Sequence, residues 1–189
     1  MYTLPKAVDV DGTMYAIRSD YRAVLDIITA LADPEHDGQA KGAALLTIFY
    51  PDFAQIPPES WPQAVDRCMW FISGGREDRD TKNRPQLISW AQDFPLIVGP
   101  VNRAIGGEIR EMPSLHWWTF LSAFAEIGDC TFAQVVRIRE RKATGKALDK
   151  TEREWYRKNR HLVDIKRVYT DAENDILEAW SGKAPTEAK

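Results

Sequence analysis

The side chains able to do chemistry in this 189-residue chain are scattered rather than gathered. His36, His116 and His161 lie in separate segments, with no His, Cys, Asp or Glu at the spacing a metal ion needs. Cys68 and Cys130 sit inside helical patterns; two isolated thiols supply neither a disulfide framework nor a four-ligand site, and both read as small buried apolar residues. No phosphate-cradling loop is present: Gly99-Pro100 and Gly106-Gly107 are separated by helix-pattern residues, and Thr144-Gly145-Lys146 lacks the rest of the motif. Glu77, Asp78 and Asp80 could suggest a cation site, but Arg76 and Arg79 interleave with them, as in a solvated loop. His116, beside two tryptophans, is expected to satisfy a ring nitrogen with a backbone carbonyl or a carboxylate rather than to act as an acid, a base or a pH sensor. The expectation is a protein with no catalytic residues, no metal and no cofactor, hence not an enzyme.

Charge is the stronger signal. Residues 137–167 carry twelve Lys/Arg against five Asp/Glu, whereas residues 1–136 carry eleven against eighteen. A basic block in an acidic chain is a nucleic-acid footprint, a docking surface for an acidic partner, or the solvated faces of two helices. Trp155, Tyr156 and Tyr169 interleave with or border the block as stacking rings would on a single strand. The sequence pI of about 5.7 and the lack of a groove-reading or RNA-binding signature oppose that option, so nucleic acid is not expected as a partner.

These groups must be positioned by helices. The densest aromatic stretch, residues 114–124, puts Trp117, Trp118, Phe120, Leu121 and Phe124 on a broad apolar arc and His116, Thr119, Ser122 and Glu126 on a polar stripe. It predicts an anchor helix near 114–127, buried on most sides, around which the core is built. Asp11-Gly12 between short alternating runs predicts a β-hairpin over about 8–17. A first helix is expected near 20–32, capped by Ser19 or Asp20, then a short one with Leu45, Ile48 and Phe49 inward. Trp61, Ala64, Val65, Cys68, Met69 and Ile72 repeat as the inward face of a third helix. Residues 74–85 read as a mobile polar loop. Leu87 to Ile105 form a helical pattern that Pro95 and Pro100 either kink or split in two. Thr131 to Gln134 fit a capping box for a helix with Phe132, Val135 and Val136 inward and Arg137, Arg139, Arg141 and Lys142 mostly facing water. Asp149 to Glu152 open a further charged helix. Thr170 to Glu173 open a C-terminal amphipathic helix, residues 169–182, with Ile176, Leu177 and Trp180 as its apolar edge; residues 183–189 look disordered. That helix either packs back on the domain, the favoured reading, or offers its edge to a partner. The fold class expected is mainly α: an irregular multi-helix single domain over 1–168 with a small N-terminal β-hairpin. Apolar runs too short for a bilayer and an N-terminus unlike a signal peptide place it in the cytosol, away from membranes.

At Leu115-His116-Trp117-Trp118-Thr119-Phe120, Gly128-Asp129, Thr131-Phe132, Arg137-Ile138-Arg139 and the run from Gly145 to Lys150, the chain resembles the bacteriophage gene-product-fifteen family, found in phages and prophages of mainly Gram-positive bacteria. The likeness extends more weakly to the hairpin with Leu4-Pro5, to Trp70-Phe71 with Gly74-Gly75, and to Asp93-Phe94, covering most of residues 1–165. Pro95, Pro100 and the extension after about residue 168 depart from it. The resemblance implies a tail-morphogenesis protein encoded between the major tail protein and the tape measure protein. It further implies a tail assembly chaperone that keeps the helical tape measure soluble while tube subunits polymerise, then leaves before the virion is finished. The tape measure protein is the implied partner, with the tail tube protein and a second copy of the chain as further candidates. The surfaces expected to serve it are Arg137, Arg139, Arg141, Lys142, Arg157 and Lys158, for steering, and Ile176, Leu177 and Trp180, for apolar contact. A nucleic-acid-binding accessory protein and a structural component retained in the virion are the competing readings.

Overall fold

The computed structural model describes residues 3–76 and 85–166. The chain opens with the hairpin: β1 (Ala7–Val10) pairs antiparallel with β2 (Thr13–Ala16), Val10 opposite Thr13. Asp11 and Gly12 both take positive φ, 48° and 81°, which a two-residue turn matching strand twist demands. Two strands alone are marginal in water, and this pair leans on a helix. Val8 and Val10 enter the core, Arg67 Nε donates to the Asp9 carbonyl at 2.9 Å, and the Asp11 N–H is received by the Gln63 side chain.

Helices α1 (Tyr21–Ala32), α2 (Gly38–Phe49) and α3 (Trp61–Ile72) follow, with two short 3-10 turns, Phe53–Gln55 and Pro58–Ser60, between the last two. Asp20 caps α1 through the Arg22 N–H, and Asp37 caps α2 through the Ala40 N–H. α3 buries most of the face its spacing predicts, with Val65 and Ile72 packed on the core, but is turned toward Phe71 and away from Trp61 and Met69. Ala64, Cys68 and Phe71 are fully buried, while Trp61 and Met69 are 40% and 42% exposed. Small side chains at 64 and 68 admit Tyr50, whose hydroxyl donates to the Ala64 carbonyl, and Phe71 meets Phe49 at 5.3 Å. Burial pushes the Cys68 thiol and the Tyr50 phenol upward in pKa, so both stay neutral.

α4 (Trp90–Ile105) is one helix despite Pro95 and Pro100, ending at Gly106 in the left-handed region, φ 82°. α5 (Trp117–Ala125) is the anchor, and it begins three residues later than its sequence predicts. His116 is extended because its segment forms a β-bridge with Asp20. The Tyr21 N–H donates to the Leu115 carbonyl and the Trp117 N–H to the Ser19 carbonyl, at 2.9 and 2.7 Å, so those groups are spoken for before α5 starts. The two bridging residues are the N-caps of their respective helices: Asp20 for α1, and His116 for α5, where Nδ1 accepts from the Trp118 N–H. His116 Nε2 then donates to the Pro5 carbonyl at 2.9 Å, which ties in the strand entering the hairpin and fixes the tautomer.

The bridge sets Tyr21 against Phe120, ring centroids 5.0 Å apart and 2° from parallel, with Trp117 stacked on Phe120 at 5.4 Å. Trp117, Phe120 and Ala123 are buried; Trp118, Leu121 and Phe124 are only half-buried, so the anchor is covered on one face rather than on most sides. Both indoles also finish α3. Trp117 Nε1 donates to the Ile72 carbonyl, and Trp118 Nε1 joins the Gly74 N–H at the Phe71 carbonyl, each indole bond 2.9 Å long, at the end of the helix where carbonyls lose their intrahelical partners. Gly75 follows with φ 79°, and a Cβ there would lie 2.9 Å from the Trp118 ring. Glycine is required twice over, by backbone conformation and by the close indole.

α6 (Thr131–Ala143), α7 (Lys150–Lys158) and α8 (Arg160–Val163) complete the body. Cys130, half-buried, occupies the N-cap of α6 without a side-chain cap bond. Thr131 is already helical, since the Gln134 N–H reaches the Cys130 carbonyl; the expected capping box is therefore absent there. It is present at α7, where Asp149 and Glu152 exchange side-chain-to-backbone bonds. The main core joins the hairpin to α1–α5 and Phe132; a small second core of Val135, Ile138 and Val163 lies under α6–α8. The C-terminal helix expected over 169–182, the tail 183–189 and most of the polar loop lie outside the described residues.

Candidate partner-binding surface

The basic residues sit on an arm made of α6, α7 and α8, held to α4 by a buried ion pair, by Gln92 and by the contact of Leu96 with the second core. Arg139, which the sequence places among the water-facing cations, is 5% exposed at its side chain and pairs with Asp93, 0% exposed. Its two terminal nitrogens reach the two carboxylate oxygens at 2.6 and 2.9 Å, the bidentate geometry in which arginine binds a carboxylate most firmly. The remaining donors go to the carbonyls of Val163, Leu162 and Leu87 at 2.6 to 2.9 Å. Asp93 Oδ2 also receives the Ser89 N–H, four residues back at the start of α4. One guanidinium thus holds α6, α8 and the approach to α4 together, and it is unavailable to any partner.

The other cations divide into two groups. Arg141 is paired with Glu152 at 3.2 Å and donates to the Ala147 carbonyl, bracing the α6–α7 turn. Lys142 bonds Asp164 at 2.6 Å and the Tyr156 hydroxyl at 2.7 Å. Burial alone would raise the Asp164 carboxyl, but hydrogen bonds from Lys142, Arg160 and Tyr156 outweigh it and hold it at about 2. Arg137, Arg157 and Lys158 are exposed, as are Lys146, Lys150, Arg153 and Arg160. Arg157, Lys158, Arg160, His161 and Lys166 line a shallow cleft of about 470 Å³ with Asp164 in its wall. Arg160 and Lys166 belong to the basic block, but only folding shows that they face the same cleft as Arg157. Trp155 and Tyr156 pack against the second core, so their rings are used inside the arm. Tyr169, Ile176, Leu177 and Trp180 lie outside the described residues.

His116 faces Phe71 and Trp118 and spends both ring nitrogens on the backbone; it belongs to the architecture of α5. Among the described residues no group of three or more His, Cys, Asp or Glu stands where it could hold a metal ion, and no helix is long and apolar enough to cross a membrane.

These features define a helical body that carries a firmly attached basic arm. The chain belongs to the family described as Bacteriophage Gp15 protein, whose model matches residues 2–165. That span runs from the hairpin through the end of α8. No curated protein and no solved structure matches the chain.

The division of cations has a measurable consequence. Arg139→Ala leaves Asp93 buried without its partner and is expected to lower the free energy of urea unfolding by about 3–5 kcal/mol, whereas Arg137→Ala changes it by no more than about 0.5 kcal/mol. Equal stabilities for the two variants would contradict the assigned roles. Because Asp164 titrates lower in the folded chain than in the unfolded one, its stabilisation is present at neutral pH and lost as pH falls through about 2. Asp164→Asn is therefore expected to lose stability less steeply than the wild type between about pH 4 and about pH 2, followed by thermal unfolding at each pH.

Proposed function

We propose that this member of a bacteriophage family is a tail assembly chaperone: a binding protein, not an enzyme, that acts in the host cytosol on the helical tape measure protein. The observation that carries the reading is the arm with its cleft of Arg157, Lys158, Arg160, His161 and Lys166, whose one acidic lining residue, Asp164, is already held by Lys142, Tyr156 and Arg160. A client-binding protein needs a stable body and an exposed surface of one sign, and complementary charge governs how fast and how selectively a partner is met. An acidic, amphipathic helical segment is the client chemistry that such a cleft fits. The inward packing of Trp155 and Tyr156 weighs against single-stranded nucleic acid, whose binding relies on free aromatic faces.

Co-expression with the tape measure protein, followed by size-exclusion chromatography with light scattering at two salt concentrations, tests the reading. The expected result is a soluble complex, with the client insoluble when expressed alone, and a complex that weakens at high salt. Arg157→Glu with Lys158→Glu is expected to weaken the complex by roughly tenfold without unfolding the body. No complex and no rescue of the client would overturn the proposal and favour a virion-resident or nucleic-acid-binding role.

A further inference from the structure

The described chain ends in the wall of an apolar groove. A cleft of about 600 Å³ opens between the last turns of α1 and the start of α4, with Ile28, Ala32, Ile88, Trp90 and Ile165 as its apolar floor and Thr29, Asp33, Gln86, Ser89 and Lys166 as its polar lining. Its size falls within the range of roughly 300–1,000 Å³ in which surface pockets bury ring-sized groups. Gln92 fixes the exit of the chain there: its side chain donates to the carbonyls of Leu162 and Asp164 and accepts the Lys166 N–H at 3.0 Å. Lys166 lines both this groove and the basic cleft of Arg157 and Arg160. An apolar trough and a basic cleft thus meet at the last described residue.

The sequence that follows has the complementary composition. Residues 170–181 contain Asp171, Glu173, Asp175 and Glu178 with no Lys or Arg, and Ile176, Leu177 and Trp180 share one edge of a helical wheel. Three residues, 167–169, separate this segment from the groove, a reach of about 10 Å, and twelve helical residues span about 18 Å. The internal segment outside the described residues, 77–84, has no apolar side chain with which to fill a trough. The family match stops at residue 165, short of this segment.

We propose that residues 170–181 fold back as an acidic amphipathic helix, Ile176, Leu177 and Trp180 entering the groove of Ile28, Ile88 and Trp90 while the acids face Arg157, Arg160 and Lys166. The occupant is the chain's own, so docking is intramolecular. On the client-binding reading above, the segment has the chemistry of the client and competes with it. The docking itself stands or falls separately from that reading.

Hydrogen exchange of the full-length chain, read by mass spectrometry over residues 24–34 and 85–94, tests it. The wild type is expected to exchange about fivefold more slowly there than Ile176→Asp with Trp180→Asp, a pair of substitutions outside the helical body. Ala91→Glu, an exposed groove position, is expected to lose the same protection by repelling the acidic segment, and the protection is expected to be independent of protein concentration. Equal exchange in wild type and the double variant, or protection that survives Ala91→Glu, would overturn the proposal. Protection that grows with concentration would also overturn it, in favour of a second copy's segment in the groove. Loss of this docking with the client complex intact removes only the docking; the reverse removes only the chaperone reading.

Discussion

The Asp20–His116 bridge is the constraint from which the rest of the body follows. Two residues far apart in sequence each stop being helical so that their neighbours can bond across the bridge, and each then caps the helix it precedes. Asp20 also accepts the Leu115 N–H, and Arg22 reaches past it to the carbonyls of Ile109 and Met112, holding the loop between α4 and α5. With the starts of α1 and α5 locked together, Tyr21, Trp117 and Phe120 have no choice but to stack. Each such aromatic pair adds about 0.5–1.5 kcal/mol beyond the area it buries. The two indole N–H groups then close the end of α3, and His116 Nε2 reaches the segment entering the hairpin at the Pro5 carbonyl.

A different interaction governs the arm. A buried ion pair is weak evidence for stability as such, because desolvation offsets much of the attraction. What Arg139 does is fix geometry: five bonds to four residues, Leu87, Asp93 and the adjacent Leu162 and Val163, hold α6 and α8 on α4. The small second core of Val135, Ile138 and Val163 lacks the size to impose that orientation alone. Rigidity matters for a binding surface, since side chains already held in place lose less freedom when a partner arrives. Arg141 and Lys142 contribute in the same way, bracing the turns so that Arg157, Lys158 and Arg160 are displayed together.

Much of the fold was legible from the residues alone. The Asp11-Gly12 turn, a cap at Ser19 or Asp20, the helix start at Asp149 to Glu152 and the aromatic anchor are local signals, each decided within a few positions. Three misreadings share one cause: a distant partner overrode a local pattern. Spacing places Arg139 beside Arg137 as a solvated cation, and nothing local announces Asp93, forty-six positions earlier. The only sequence sign is an acid inside an otherwise apolar stretch, Asp93 between Ala91 and Phe94 with Gln92. The late start of α5 depended on a bridge to residue 20, and the turned face of α3 on Tyr50 and Phe71 competing with Trp61 and Met69 for the same core. Thr131 matched a capping box by composition, yet the first helical carbonyl belongs to Cys130.

On the proposed reading, the exposed cations of the arm are where the client binds. Lysine-directed cross-linking of the complex with the tape measure protein, mapped by mass spectrometry, addresses it most directly. The account predicts links to the client from Lys146, Lys150, Lys158 and Lys166. Links only from Lys6 and Lys41, outside the arm, would contradict it.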